Sequence, residues 1–323
     1  MNFSILGCGR IGTKRAEALR AAGHRICFVA DPIGERAAKL AAQTEAKCAS
    51  NEKALASPAV EAVAIATTNR WLAPCTIAAL GAGKHVLVEK PAARSVAEID
   101  PVIAAAEASG KQVQVGFNHR YHAGLQQVRK WIDSGVTGPL MFLRGRYGHG
   151  GRVGYEQEWR ADPAISGGGE LIDQGVHLID LARWILGELS QVEGHAATYF
   201  WKMPVEDNAF LSLRTAAGQT AWLQVSCTEW KNLFSLEIYG RDAKLEVQGL
   251  GGSYGLERAI LYRMLPEMGP PETVMYEYPG VDRSWRLEIA DFERAVESGS
   301  SHGPTLQDAR AALAVVECIY QRR

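Results

Sequence analysis

Short apolar runs alternate with longer segments of helical spacing along the first third of the chain. Residues 3–6, 25–30, 62–67, 85–89 and 112–117 are rich in Val, Ile and Ala and predict strands, while 10–22, 34–44, 74–82 and 97–109 predict the helices between them. Strands that lack polar alternation are buried on both faces, so this order predicts a doubly wound parallel sheet of Rossmann type over residues 1–119. Past residue 120 the pattern changes. A helix over 124–134 leads to a strand over 139–147 and a Gly-rich loop over 148–154. Next comes a helix, apolar almost all round, that starts from Gly167-Gly168-Gly169. Runs at 191–201, 207–215, 219–226, 233–239, 243–248 and 259–265 then alternate apolar with polar and break at Gly or Asp, which predicts antiparallel strands. Residues 268–279, with Pro266, Pro270, Pro271 and Pro279 in or beside them, predict an irregular loop or sheet edge. Helices over 284–298 and 305–321 close the chain, the second N-capped by Thr305.

A chain of 323 residues with 47% hydrophobic content is globular and long for one core. Two domains are therefore expected, an α/β dinucleotide-binding domain over 1–119 and an α+β domain over 120–323. Lys and Arg number 35 against 36 Asp and Glu, with no basic stripe, which argues against nucleic acid or an anionic membrane surface as partner. The six cysteines are scattered without CxxC or zinc spacing, so reduced thiols and a cytoplasmic location are expected, and no metal. With the first strand predicted from residue 2 or 3, no signal peptide is expected. His119 and His122 lack a carboxylate at metal-ligand spacing, and Trp184, Trp222 and Trp230 read as core or interface aromatics.

The candidate chemistry begins at Gly7-Cys8-Gly9-Arg10-Ile11-Gly12, between the first strand and the first helix. The first Gly permits the tight turn, the second lets backbone approach a pyrophosphate, and the third lets helix pack on strand. Cys8 is a tolerated small residue. Asp31 follows ~20 residues later, where a carboxylate accepts ribose hydroxyls and repels a 2′-phosphate. NAD is thus expected, with Arg36 leaving NADP open. Ligands gather at the carboxyl ends of parallel strands, which nominates Thr67-Thr68-Asn69, Glu89-Lys90-Pro91 and Asn118. In the second half, ordinary helical spacing puts Asp173, His177 and Asp180 on one stripe of a buried helix. Such a stripe needs partners or a lined cavity, because an unpaired buried carboxylate costs several kcal/mol. A structural network and an active site both satisfy that requirement.

Taken together, the glycine turn, Glu89-Lys90-Pro91 and the Asp173-x-x-x-His177 spacing resemble the Gfo/Idh/MocA oxidoreductases, over essentially the full length. The resemblance implies a Rossmann domain followed by an open, mainly antiparallel sheet whose exposed face pairs subunits into a homodimer or homotetramer. It implies a bond between Lys90 and Pro91 that is often cis, Trp159 and Arg160 bordering the nicotinamide, and Arg120 and Tyr147 on the substrate side. Its activity is oxidation of a secondary hydroxyl, with Lys90, Asp173 and His177 as catalytic residues. Imidazole, with a pKa of about 6.5, can take the hydroxyl proton untuned, whereas lysine at about 10.4 must be lowered at a cost of roughly 3 to 4 kcal/mol. His177 is therefore the expected base, Asp173 orienting it or binding a neighbouring hydroxyl, and Lys90 the alkoxide stabiliser; some relatives use the lysine as base. GRVGYEQEWR over 151–160 and YFWKMPVEDN over 199–208 resemble the branch encoded with bacterial surface-sugar and lipid A genes. That points to C-3 of a nucleotide-linked hexosamine such as UDP-N-acetylglucosamine, with Arg152 a candidate for the diphosphate. The alternatives are an inositol or free-sugar dehydrogenase, a glycosidase that oxidises C-3 transiently, and a non-catalytic NAD-binding regulator.

Overall fold

A computed structural model describes residues 1–322, which pack as two compact units that are not contiguous in sequence. The first comprises Met1–Phe117, Ala164–Gly167 and Trp285–Ala314. In chain order it holds β1 (Asn2–Leu6), α1 (Arg10–Ala21), β2 (Arg25–Ala30), α2 (Gly34–Thr44), β3 (Lys47–Cys48), α3 (Asn51–Ala56), β4 (Ala62–Ile65), α4 (Asn69–Gly81), β5 (His85–Glu89), α5 (Val96–Ser109) and β6 (Val113–Gly116), and its segment Ala164–Gly167 carries most of the short helix α7 (Pro163–Ser166). The strands lie in the order β3-β2-β1-β4-β5-β6 and pair in parallel, the doubly wound sheet that the alternation predicts. β3 and α3 are too short to carry a period, although Ser50 announces α3 by accepting from the Lys53 amide at 3.3 Å. α4 begins at Asn69 rather than 74. Pro74 is a frequent first-turn residue, hence the expectation, but here it lies inside the helix, where it removes one backbone donor.

The second unit comprises residues 118–163, 168–284 and 315–323, of which 315–322 are described. It holds α6 (Ala123–Asp133), β7 (Leu140–Gly148), α8 (Val176–Leu186), β8 (Leu189–Ala197), β9 (Asn208–Thr215), β10 (Thr220–Ser226), β11 (Leu233–Gly240), β12 (Ala243–Gln248), β13 (Glu257–Arg263) and β14 (Glu272–Tyr278). Among the described residues these strands form one sheet in the order β14-β13-β12-β11-β7-β10-β9-β8, with β7 and β10 parallel and the other pairs antiparallel. One face is apolar: Leu143, Tyr147, Leu223, Val225, Phe234, Leu236, Leu245 and Val247 are buried. α8 packs there, close enough that a Cβ on Gly145 of β7 would stand 3.3 Å from Leu178. The other face carries Phe142 stacked on Tyr239, and Glu237 bridged to Arg144 and Lys244. Trp222, also on that face, is 62% exposed and Trp230 67%, so neither belongs to the core. Residues 268–279 resolve into an edge strand, β14, entered past Pro270 and Pro271.

The chain then returns. In α9 (Ser284–Ser298), Ile289 and Phe292 join the core cluster of the first unit around Phe3, Ile5 and Leu19, and the Phe292 ring lies 6.1 Å from that of Phe3. A single boundary near residue 119 therefore omits a segment that the first sheet needs for cover. α10 (Leu306–Tyr320) opens with the predicted cap: Thr305 Oγ1 accepts from the Asp308 amide at 3.1 Å while Asp308 accepts from the Thr305 amide at 3.0 Å. Among the described residues no helix is long and apolar enough to cross a membrane. Because Thr305 satisfies a helix-end donor and receives the reciprocal bond, Thr305→Ala is expected to cost about 1 kcal/mol, read as a lower midpoint in urea denaturation with unchanged slope.

Candidate active site

In the first unit the glycine turn is built for close approach. Gly7 has φ +94°, and a Cβ there would lie 2.7 Å from the Thr67 nitrogen; a Cβ on Gly12 would run into the carbonyl of Gly7. Gly9, the N-cap of α1, has open space where its Cβ would stand. No side chain caps α1 and its first turn holds no acid, so first-turn amides and the helix dipole favour an anion such as a pyrophosphate. Arg10 is exposed in that turn and Ile11 half-buried. Asp31 fastens the region together. Its Oδ2 accepts from the Cys8 amide at 2.7 Å and its Oδ1 from the Ile33 amide at 2.8 Å, and a carboxylate so oriented retains lone pairs for ribose hydroxyls. Burial pushes the Cys8 thiol up to about 12, which keeps it neutral.

The strand-end candidates divide. Thr67 and Thr68 sit half-buried beside the turn, whereas the Asn69 amide donates to the Ser166 carbonyl at 2.8 Å, an internal tie. Glu89 is buried and accepts from Arg15 at 2.7 Å. Lys90 is half-buried, and the peptide joining it to Pro91 is cis. Asn118 belongs to the second unit, where its amide donates to Ser284 at 3.0 Å and its oxygen meets His119 Nδ1 at 3.3 Å.

In the second unit the glycine run is a packing device rather than a helix start. A Cβ on Gly168 would overlap the Tyr320 hydroxyl, and one on Gly169 the Glu206 carbonyl. Through this gap the fully buried Glu206 reaches the helix end, accepting from the Gly169 and Leu171 amides at 3.1 Å each and from the Tyr320 hydroxyl at 2.6 Å. A π-helical turn follows over Leu171–Gly175 before α8 begins. The wider turn breaks the 3.6-residue phase, so the single polar stripe expected for Asp173, His177 and Asp180 becomes three separate attachments. Asp173 accepts from Arg160 Nε at 2.8 Å, and the Arg160 guanidinium lies 4.5 Å from the Trp159 ring. The Asp173 carboxylate raises the Arg160 pKa further. His177, 4% exposed, stacks on His119 with ring centres 3.8 Å apart, and Tyr147 meets both rings edge-on. Asp180, with no exposure, binds Arg120 bidentately at 2.8 and 2.5 Å.

Two of the expected substrate contacts thus have partners inside the protein. Arg120 is held by Asp180, and Tyr147 is buried against Phe234 and Tyr254 with its phenol pushed well above its ordinary pKa by burial. Three residues were not anticipated: His149, Glu170 and Asp207. His149 accepts from the Gly151 amide at 3.0 Å through Nδ1, which assigns its proton to Nε2, 3.6 Å from the buried Glu170. Burial lowers the His149 pKa. Asp207 accepts the amides of Tyr199, Phe200 and Trp201 at 2.9, 2.7 and 3.0 Å, folding back a segment expected to continue β8. Burial alone would raise the Asp207 carboxyl, but those amides and Asn208 hold it below the usual range.

Two family models match. Residues 1–117 match the oxidoreductase family with an NAD-binding Rossmann fold, and 125–246 match the GFO/IDH/MocA C-terminal domain. The chain belongs to the GFO/IDH/MocA oxidoreductase family. It is 29% identical to inositol 2-dehydrogenase 2 of Saccharopolyspora erythraea, across 99% of this chain and 92% of that one. With levoglucosan dehydrogenase of Pseudarthrobacter phenanthrenivorans it shares 33% identity across 50% of this chain and 42% of that one. A solved levoglucosan dehydrogenase in complex with NADH has the same fold, with a TM-score of 0.90 at 23% identity over 99% of this chain and 96% of that one. This family member is therefore an NAD-dependent oxidoreductase. The expected nucleotide-sugar branch finds no support among these relatives, and the segments that suggested it carry structural roles: Tyr155 is buried, Arg152 pairs with Glu158 at 2.6 Å, and Glu206 and Asp207 cap backbone.

Two outcomes follow from these partners. Removing one member of a buried ion pair leaves an uncompensated charge, so Asp180→Ala is expected to cost about 3 to 5 kcal/mol in urea denaturation, and a loss below about 1 kcal/mol would contradict the pairing. Asp207 has a depressed carboxyl, so its contribution is complete above the unfolded carboxylate range and is lost as pH falls through the folded value. Denaturation across a pH series should show Asp207→Asn with a lower plateau near neutrality and a shallower acid-side decline than wild type.

Proposed function

We propose that this enzyme oxidises a secondary hydroxyl of a free cyclic polyol or sugar, of the kind named for its inositol and levoglucosan dehydrogenase relatives. The observation that carries this reading is the state of the arginines around His177 and the loop after β7. Arg120 pairs with Asp180, Arg160 with Asp173 and the exposed Arg152 with Glu158. Each guanidinium is neutralised within the protein, and Glu170 adds a buried acid. A diphosphate calls for arginine charge in excess of carboxylate. A neutral, hydroxyl-rich ring is served instead by acceptors such as Asp173 and by ring nitrogens.

Bound NAD supplies the hydride acceptor. His177 takes the hydroxyl proton, its imidazole fixed between His119 and Tyr147 so that one nitrogen keeps a set direction. Asp173, oriented by Arg160, accepts a neighbouring hydroxyl of the substrate. The role proposed for Lys90 is to stabilise the developing alkoxide with its ammonium charge. Asp31 favours NAD over NADP, since a 2′-phosphate beside a carboxylate is repelled. The exposed face of the second sheet, with Trp222 and the stacked Phe142 and Tyr239, supports pairing between copies of the chain.

The reading is tested with purified enzyme and a panel of inositols, levoglucosan, free aldoses and UDP-N-acetylglucosamine, each with NAD and with NADP. NADH is expected to accumulate with a free polyol or sugar, and His177→Ala should lower kcat by roughly 10² to 10⁴. Turnover of the nucleotide sugar alone would overturn the substrate class. A product formed without net NADH would indicate a closed redox cycle. Loss of the low-pH limb of kcat in Lys90→Met, with His177→Ala retaining it, would exchange the two roles.

A further inference from the structure

Among the described residues Arg15 is the largest fully buried side chain, 1% exposed, and it belongs to the first unit. Its Nε donates to Glu89 Oε1 at 2.7 Å, its Nη2 meets the same oxygen at 2.5 Å, and its Nη1 donates to Glu288 of α9. Trp285 covers the guanidinium, its ring centre 4.5 Å away. Gly116 leaves the space: a Cβ there would stand 2.7 Å from Nη2 and 3.2 Å from Glu89 Oε2. Four segments far apart in sequence therefore converge on one cation. Glu288 has no exposure, and burial pushes its carboxyl up to about 7 against the pull of Arg15.

Stability is a poor reason for this arrangement. Desolvating a guanidinium and two carboxylates costs more than most such contacts return, and apolar residues of similar size commonly serve as well or better. Position is the better reason. Glu89 is the last residue of β5 and Lys90 is the next in the chain. A carboxylate hydrogen-bonded by Nε and in ionic contact with Nη2 at the same oxygen is held in one orientation, which restrains the backbone from which the lysine departs.

We infer that Arg15 and Glu288 are positioning residues for Lys90: Glu288 holds the guanidinium, the guanidinium clamps Glu89, and Glu89 acts on the reaction through this clamp rather than as a cofactor ligand. The inference rests on the catalytic role of Lys90 proposed above. It assigns the returning helix α9 a share in the chemistry.

The test compares Arg15→Met, Glu89→Gln, Glu288→Gln, the neutral triple variant carrying all three, and Lys90→Met as reference. Each is measured for melting temperature, NAD dissociation constant by fluorescence titration, and kcat and KM on the substrate found by the panel. Arg15→Met strands two buried acids and should lose stability; the triple variant should melt near wild type. The expected result is a kcat roughly 10- to 100-fold low in the triple variant and in Glu89→Gln, with KM and NAD affinity within about twofold of wild type. Should the triple variant fail to fold, the isosteric Glu89→Gln and Glu288→Gln variants decide on the same readouts. Recovery of kcat together with melting temperature, while Lys90→Met stays inactive, overturns the inference alone. So does a tenfold loss of NAD affinity in Glu89→Gln with kcat preserved. Wild-type kcat in Lys90→Met overturns the role of the lysine, and the inference with it.

Discussion

Glu206 has no contact with solvent, and its carboxylate lies against the amides that begin the segment carrying Asp173 and His177. An anion at a helix start meets both the dipole and donors that lack intrahelical partners. That position is reachable only because Gly168 and Gly169 present no Cβ to the Tyr320 hydroxyl and the Glu206 carbonyl. The cap fixes where the turn starts, the π-helical turn fixes its phase, and the phase decides which side chain meets which partner. Arg160 for Asp173, His119 for His177 and Arg120 for Asp180 all depend on that sequence of choices.

Buried charge imposes the same discipline on the rest of the site. Each ionised group removed from water must find its opposite or several donors, so arginines expected to reach toward substrate are drawn to acids of the protein instead. The effect is to turn polar side chains into fixed directions. Arg160 gives Asp173 one orientation, the backbone of Gly151 gives His149 one tautomer, and Asp31 ties the glycine turn to the end of β2.

The legible parts of the sequence were those whose cause is local. The Val- and Ile-rich strands, the steric demands on Gly7 and Gly12, the capping box at Thr305 and the alternation of β10, β11 and β12 each follow from residues a few positions apart. What escaped had a distant cause. The π-helical turn has no composition of its own; 171–175 read as ordinary helix because the insertion is set by packing and by the Glu206 cap. Residues 199–201 continue an apolar alternation, yet Asp207 takes their amides and removes them from the sheet. Arg15 carries no local signal of its burial, since its two acids stand 74 and 273 residues away.

The same distinction explains why the family was readable and the branch was not. The Asp-x-x-x-His spacing and Glu-Lys-Pro carry the resemblance, and the family they point to is the one the two family models match. The segments 151–160 and 199–208 hold scaffold: a buried tyrosine, an internal Arg152 to Glu158 pair and two capping acids. Similarity in residues that fasten loops reports how the loops are fastened, and a fastened loop is compatible with many ligands. A substrate would be legible only from side chains whose hydrogen-bonding capacity the protein does not itself consume, and which those are emerges once every internal partner has been assigned.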